Sequence, residues 1–187
     1  VERLGQTCDN ATRIKDPGLF ALAFKHARYL LWSSSRQDSL PANLQGVWAD
    51  GLRAPWNGDY HLNINLQMTY WASSTANLGE SASVLAPFLK GLVAKGEITA
   101  KDWYGVHRGW VAHGYTDRWR DARALGENKW ALCVTCGAWA ALQLVDVSED
   151  DPASTEKLRD ALSVLRGVLE FFDDYAIAVD DKTATKL

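Results

Sequence analysis

The run DPGLFALAFKHARYLLWSSS, residues 16–35, decides the fold class. Asp16 is a favourable N-cap residue, and Pro17 suits the first helical position, where a missing N–H costs nothing. Leu19, Phe20, Phe24, Ala27, Leu30 and Leu31 recur at helical spacing until Ser33, Ser34 and Ser35 end the pattern. The same period returns down the chain. A second helix is predicted from Asn65, with Met68, Trp71, Ala72 and Ala76 on its apolar side. A third runs from Pro87 to Lys95 with Gly96 as its stop, followed by a short one over Thr99–Tyr104. Two longer helices are predicted over residues 129–147 and 155–178, the last burying Leu158, Leu162, Leu165, Leu169, Phe172 and Tyr175. No alternating strand pattern competes with these. The class is therefore all-α, with an irregular polar segment over 1–15 and one helical domain over 16–187.

The chain has 187 residues, 47% hydrophobic and 23% charged, which is a globular composition. A net charge of -3 argues against a basic nucleic-acid-binding surface. No apolar run approaches the roughly 18 residues of a membrane span. Nothing at the start resembles a signal peptide, and Val1 in place of an initiator Met points to trimming or a fragment. The triplet Asn10-Ala11-Thr12 is a glycosylation sequon, which leans slightly toward a secretory or extracellular setting. Nine Trp stand against one Met. Trp combines apolar area with a hydrogen-bond donor, as sugar-binding clefts require.

Cys133 and Cys136 form C-V-T-C. A zinc site needs about four ligands, and no second pair completes one. A redox motif would follow a strand, and the surroundings read as helix. The expectation is packed free thiols, with no metal and no cofactor.

Two stretches lack periodicity, residues 36–62 and 105–128. Long structured loops inside compact domains are usually functional. The first leads into the densest polar and aromatic segment, from Pro55 to Trp71, with Trp56, Asp59 and His61. Asn63 and Asn65 share a face if their backbone is extended. Two amides can hold a water or a sugar hydroxyl in fixed orientation but supply no proton. They could equally cap a helix and hold the loop. The second loop adds His113, Asp117, Trp119 and Arg120. Asp117 and Arg120 read either as a structural ion pair or as a clamp on vicinal hydroxyls.

These residues carry a resemblance. The matching stretches are Tyr29 to Arg36, Leu40 to Trp48, Pro55 to Trp71, Gly109 to His113 with Thr116-Asp117 and Trp119 to Asp121, and Gly137 to Trp139. With the highly specific Asn63-Ile-Asn-Leu-Gln-Met68 run, they resemble the catalytic domain of glycoside hydrolase family 95, the α-L-fucosidases and α-L-galactosidases. The resemblance implies an (α/α)6 barrel, of which this chain offers about half. It also implies an inverting mechanism, in which an acid protonates the glycosidic oxygen and a base activates water, the two carboxyls roughly 6.5–9.5 Å apart. By motif, Asn63 and Asn65 correspond to the asparagines that orient this water. Asp59, His61, Trp56, His113 and Asp117 are the candidates for binding the sugar.

The family's acid lies in a Ser-Pro-Glu type motif, which is missing here, and its base lies further downstream. The expected function is therefore part of an inverting glycosidase acting on fucosylated glycans, carrying the asparagines but neither principal carboxylate. The alternative is a catalytically inactive structural subunit of a larger assembly. Half a toroid leaves apolar helix faces open, so a protein partner or further polypeptide is expected to cover them.

Overall fold

The structure is a computed structural model that describes residues 16–149 and 155–176. The sequon at Asn10 lies outside these residues, as does Ala178. Helix α1 spans Pro17–Ser34 and begins as expected, with the Asp16 carboxylate accepting the Leu19 N–H at 3.0 Å. The remaining helices are α2 (Asn65–Trp71), α3 (Gly79–Ala82), α4 (Leu85–Tyr104), α5 (Asn128–Ala131), α6 (Cys136–Glu149) and α7 (Thr155–Tyr175). The all-α class holds, with one small exception. Strands β1 (Tyr60–His61) and β2 (Tyr115–Thr116), absent from the sequence reading, pair antiparallel with Tyr60 opposite Thr116. Two residues are too few to show an alternation. The Leu62 N–H donates to Gly114 O at 2.8 Å and extends the pairing, so the two aperiodic loops are tied to each other.

The helices differ from expectation in three ways. Gly96 does not stop a helix; α4 runs through it to Tyr104 and ends at left-handed Gly105, φ 66°. A Cβ at Gly96 would lie 2.8 Å from Val111 O and 2.9 Å from the Trp110 ring, so this glycine serves close approach. The helix predicted over 129–147 is two helices. Between them Cys133 and Cys136 form a disulfide, which corrects the free-thiol reading. The Cys133 N–H donates to His113 Nδ1 at 3.1 Å instead of continuing a helical ladder. The 21-residue stretch Asn128–Ser148 does reach membrane-span length and apolarity, contrary to the sequence reading. It is broken at 132–135 and half of it is buried inside the fold, as in a core helix.

The third difference is rotational. Helix α7 buries Ala161, Val164, Val168 and Phe171, and exposes Leu158, Leu162, Leu169 and Tyr175. Of its leucine stripe only Leu165 packs partly against the core, while Gly167 lets the helix close onto Trp110, where a Cβ would lie 2.7 Å from the indole. Helix α1 is similarly open, exposing Phe20, Leu22, Phe24, Tyr29 and Trp32.

The core centres on Trp110, which is 1% exposed and donates its indole N–H to Val164 O at 2.9 Å. Gly96 of α4, Gly137 of α6 and Gly167 of α7 all face it. A Cβ on any of them would come within 2.9 Å of the Trp110 ring.

Helix propensity alone favours Ala over Gly by about 1 kcal/mol. At Gly96 the clash with backbone and indole outweighs that gain. Gly96→Ala is expected to destabilise the chain by about 1–3 kcal/mol, read as a lower urea midpoint.

Candidate functional site

The pairing of β1 with β2 creates a cleft between the two loops, with a volume of about 690 Å³. Trp48, Asn57, Asp59, Tyr60, Asp117 and Trp119 line it. The first loop is pinned from below. Tyr60 donates its hydroxyl to Pro41 O at 2.9 Å, and Tyr70 Oη accepts the Ala42 N–H at 2.8 Å while bonding Ser35 Oγ at 2.7 Å. The loop then passes through three consecutive left-handed residues, Trp56 (φ 54°), Asn57 (φ 56°) and Gly58 (φ 65°). Asn and Gly tolerate this conformation, whereas a Trp there is strained by about 1–3 kcal/mol. The strained turn sets the Trp56 ring outward, 71% exposed and edge-on to His61 at 5.9 Å.

Of the candidates named from sequence, the structure brings Asp59 and Asp117 into the cleft. Burial pushes the Asp59 carboxyl above its usual range and the Asp117 charge adds to this, while Asn57 and His61 oppose it. Asp117 does not pair with Arg120. Its Oδ1 accepts the N–H groups of Trp119 at 2.9 Å and Asp121 at 3.2 Å, closing a tight turn. Arg120 instead lies along α4, its guanidinium 5.6 Å from the Phe88 ring centroid.

His61 sits on β1 behind the cleft, buried, with its ring 4.4 Å from that of Tyr115. Burial lowers its pKa, and the Asp59 charge only partly offsets this. His113 does not reach the cleft. It is fully buried, and both ring nitrogens are engaged, Nδ1 by the Cys133 N–H and Nε2 by Tyr104 Oη at 3.1 Å. Because Nδ1 accepts, Nε2 carries the proton and the ring is neutral. Burial likewise lowers its pKa.

Asn63 lies in the turn after β1, and Asn65 is the first residue of α2; both are exposed. Ile64 between them is extended at φ -179°, so the pair straddles a helix start and not a continuous helix. Neither side-chain amide has a hydrogen-bond partner among the described residues, and neither residue lines the cleft. The cleft residues Asn57, Tyr60 and Trp48 were not singled out from sequence. Their common signal is position: all lie in the aperiodic loop that the Tyr60 strand ties down. Among the described residues no cluster of three His, Cys, Asp or Glu could hold a metal ion.

The family described as the glycosyl hydrolase family 95 catalytic domain matches residues 2–186. Alpha-L-fucosidase 2 of Arabidopsis thaliana is 42% identical over 145 residues, covering 74% of this chain and 17% of its own length. Probable alpha-fucosidase A of Aspergillus niger is 34% identical over 158 residues, 84% of this chain and 20% of its own. The corresponding protein of Aspergillus oryzae is 46% identical over 99 residues, 52% and 14% respectively. The chain thus spans a fifth or less of the length of these relatives.

Histidines held below their ordinary pKa protonate more readily in the unfolded chain. The stability their neutral forms confer is complete above the unfolded value, near 6.5, and is lost as pH falls from there toward the folded values. Melting temperature is expected to drop between about pH 7.5 and pH 5.5. His113→Asn keeps an acceptor for the Cys133 N–H but cannot titrate, and should flatten that dependence in a thermal-melt series.

Proposed function

The chain belongs to the glycosyl hydrolase family 95 catalytic domains, and on that premise we propose that it forms one wall of a glycosidase pocket for terminal α-L-fucosyl residues. Asn63 and Asn65 orient the attacking water through their side-chain amides. Asp59 and Asp117 hold ring hydroxyls, with His61 and Trp56 beside them. His113 acts at one remove: by fixing the Cys133 backbone and Tyr104, it positions the loop that carries Asp117. The general acid and base of an inverting reaction come from outside these 187 residues. The chain then forms half of an (α/α)6 barrel, and further polypeptide covers the apolar faces of α1 and α7.

The observation that carries this reading is the placement of the two asparagines. Both are exposed, their side-chain amides have no hydrogen-bond partner among the described residues, and they bracket the helix start, Asn63 in the preceding turn and Asn65 as the first helical residue. They follow directly on the strand that builds the cleft. Neutral amides suit this task, since they fix a water without competing for its proton.

Two measurements test the proposal. Titrating the chain with L-fucose is expected to shift the NMR signals of the Asn63 and Asn65 side-chain amides, and Asn63→Ala should weaken binding about three- to tenfold. Incubation with an aryl α-L-fucoside should give no turnover. Turnover would place an acid and a base within the chain. Absence of sugar binding, with the protein folded, would favour the inactive structural subunit.

A further inference from the structure

We propose that the Cys133–Cys136 bridge is a thiol-exchange site, opened by a dithiol reductant through Cys133, and that its opening slackens the strand pair joining the two loops. The two sulfurs are unequal. Cys136 is 2% exposed, whereas Cys133 is only partly buried and its Sγ lies 3.8 Å from the hydroxyl of the exposed Thr135. Trp130 and Leu132 beside it are exposed as well, so the approach to Cys133 is open. An incoming thiolate therefore reaches Cys133 and not Cys136. Its attack forms a mixed disulfide at Cys133 and expels the Cys136 sulfur as a thiolate. Cys136 is the first residue of the 14-residue helix α6, where backbone N–H groups stabilise negative charge. A stabilised leaving thiolate departs faster. The reductant's second thiol then attacks its own sulfur in the mixed disulfide and releases Cys133. The bridge takes up two electrons and two protons, and the dithiol leaves as a disulfide.

The bridge sits inside a clamp. Residues 131–137 grip residues 112–114 at three points. The Gly114 N–H donates to Ala131 O at 2.9 Å, the Cys133 N–H to His113 Nδ1 at 3.1 Å, and the Gly137 N–H to Ala112 O at 2.9 Å. Gly114 O in turn accepts the Leu62 N–H at 2.8 Å, the bond that extends the β1–β2 pairing. Residues 132–135 lie outside any helix. The backbone tie from Cys133 to α6 is a Cys136 N–H bond to Cys133 O of 3.3 Å, beyond the usual range. The sulfur bridge is thus the firm link between the middle of the clamp and the helix behind it. A bridge between residues three apart closes a short ring and removes little entropy from the unfolded chain. Its effect is local, and the packing of α4, α6 and α7 on Trp110 persists without it. Opening it frees Cys133 from α6, loosens His113 and Gly114, and so weakens the hold on Leu62.

The test is amide hydrogen exchange by NMR on the chain before and after dithiothreitol. Alkylation with peptide mapping follows Cys133 and Cys136 separately from Cys8. Dithiothreitol is expected to open the bridge in the folded chain, with Cys133 alkylated at least about tenfold faster than Cys136. Exchange at Cys133, Gly114 and Leu62 should then quicken at least about tenfold, while the Trp110 indole N–H stays within about twofold and the circular dichroism spectrum is unchanged. The double variant Cys133→Ser with Cys136→Ser should show the fast exchange with or without dithiothreitol. Alkylation of both cysteines without reductant, or a bridge that opens only in denaturant, would overturn the exchange site. Opening without faster exchange at Gly114 and Leu62 would overturn the link to the strand pair. Loss of the circular dichroism spectrum on reduction would make the bridge a general staple and overturn the proposal as well. If the double variant is unfolded, reduced wild type decides by the same exchange rates. No sugar enters these measurements, so their outcome is separate from that of the fucose titration.

Discussion

The indole of Trp110 is the wedge on which the helices close. Three glycines, one from each of α4, α6 and α7, bring backbone against its faces, and its N–H is satisfied by Val164 O. A polar atom left unpaired at that depth would cost about 1–3 kcal/mol, so the hydrogen bond fixes the ring's orientation as well as its position. Close approach through glycine lowers helix propensity at three places, and the dispersion contacts of a large flat ring offset that loss. Residues 109–114 follow from this anchor. Once Trp110 is seated, the chain leaving it must run past Ala112 and His113 to Gly114, whose carbonyl receives Leu62.

That connection transmits the core's rigidity to the cleft. Leu62 is fully buried beneath β1, and Gln67 of α2 donates to its carbonyl at 2.7 Å. The acidic residues at the mouth, Asp59 and Asp117, directly flank β1 and β2. Their separation is consequently governed by a ladder of backbone hydrogen bonds and not by loose loop geometry. Rigid support of this kind is what a site needs to hold hydroxyl groups in one arrangement.

Much of this was legible beforehand. The cap at Asp16 and the helical class follow from local chemistry, because capping and periodicity are short-range effects. The errors share a different cause. Gly96 reads as a helix stop until the ring it accommodates is known, and that ring is distant in sequence. The stripe Leu158–Leu162–Leu165–Leu169 was the stronger apolar signal on α7, yet the helix buries the adjacent face of Ala161, Val164, Val168 and Phe171. His113 reads as a ligand group in isolation, and only the Cys133 N–H and the Tyr104 hydroxyl identify it as internal support. The disulfide was missed because a separation of three residues fits a helix turn as well as a bridge. For the site, the two aperiodic loops do meet in a cleft, but Asn63 and Asn65 stand outside its lining, and the strand pair that assembles it is too short to leave a pattern.

The outward leucines of α7 and the aromatic side of α1 make the isolated chain's behaviour in solution dependent on its medium. Sulfate, phosphate and sucrose are excluded from protein surfaces and so strengthen apolar association. In such media these two greasy strips become self-adhesive, and the chain salts out early. Mild chaotropes have the opposite effect, and keep the helices dispersed at concentrations too low to loosen the Trp110 core.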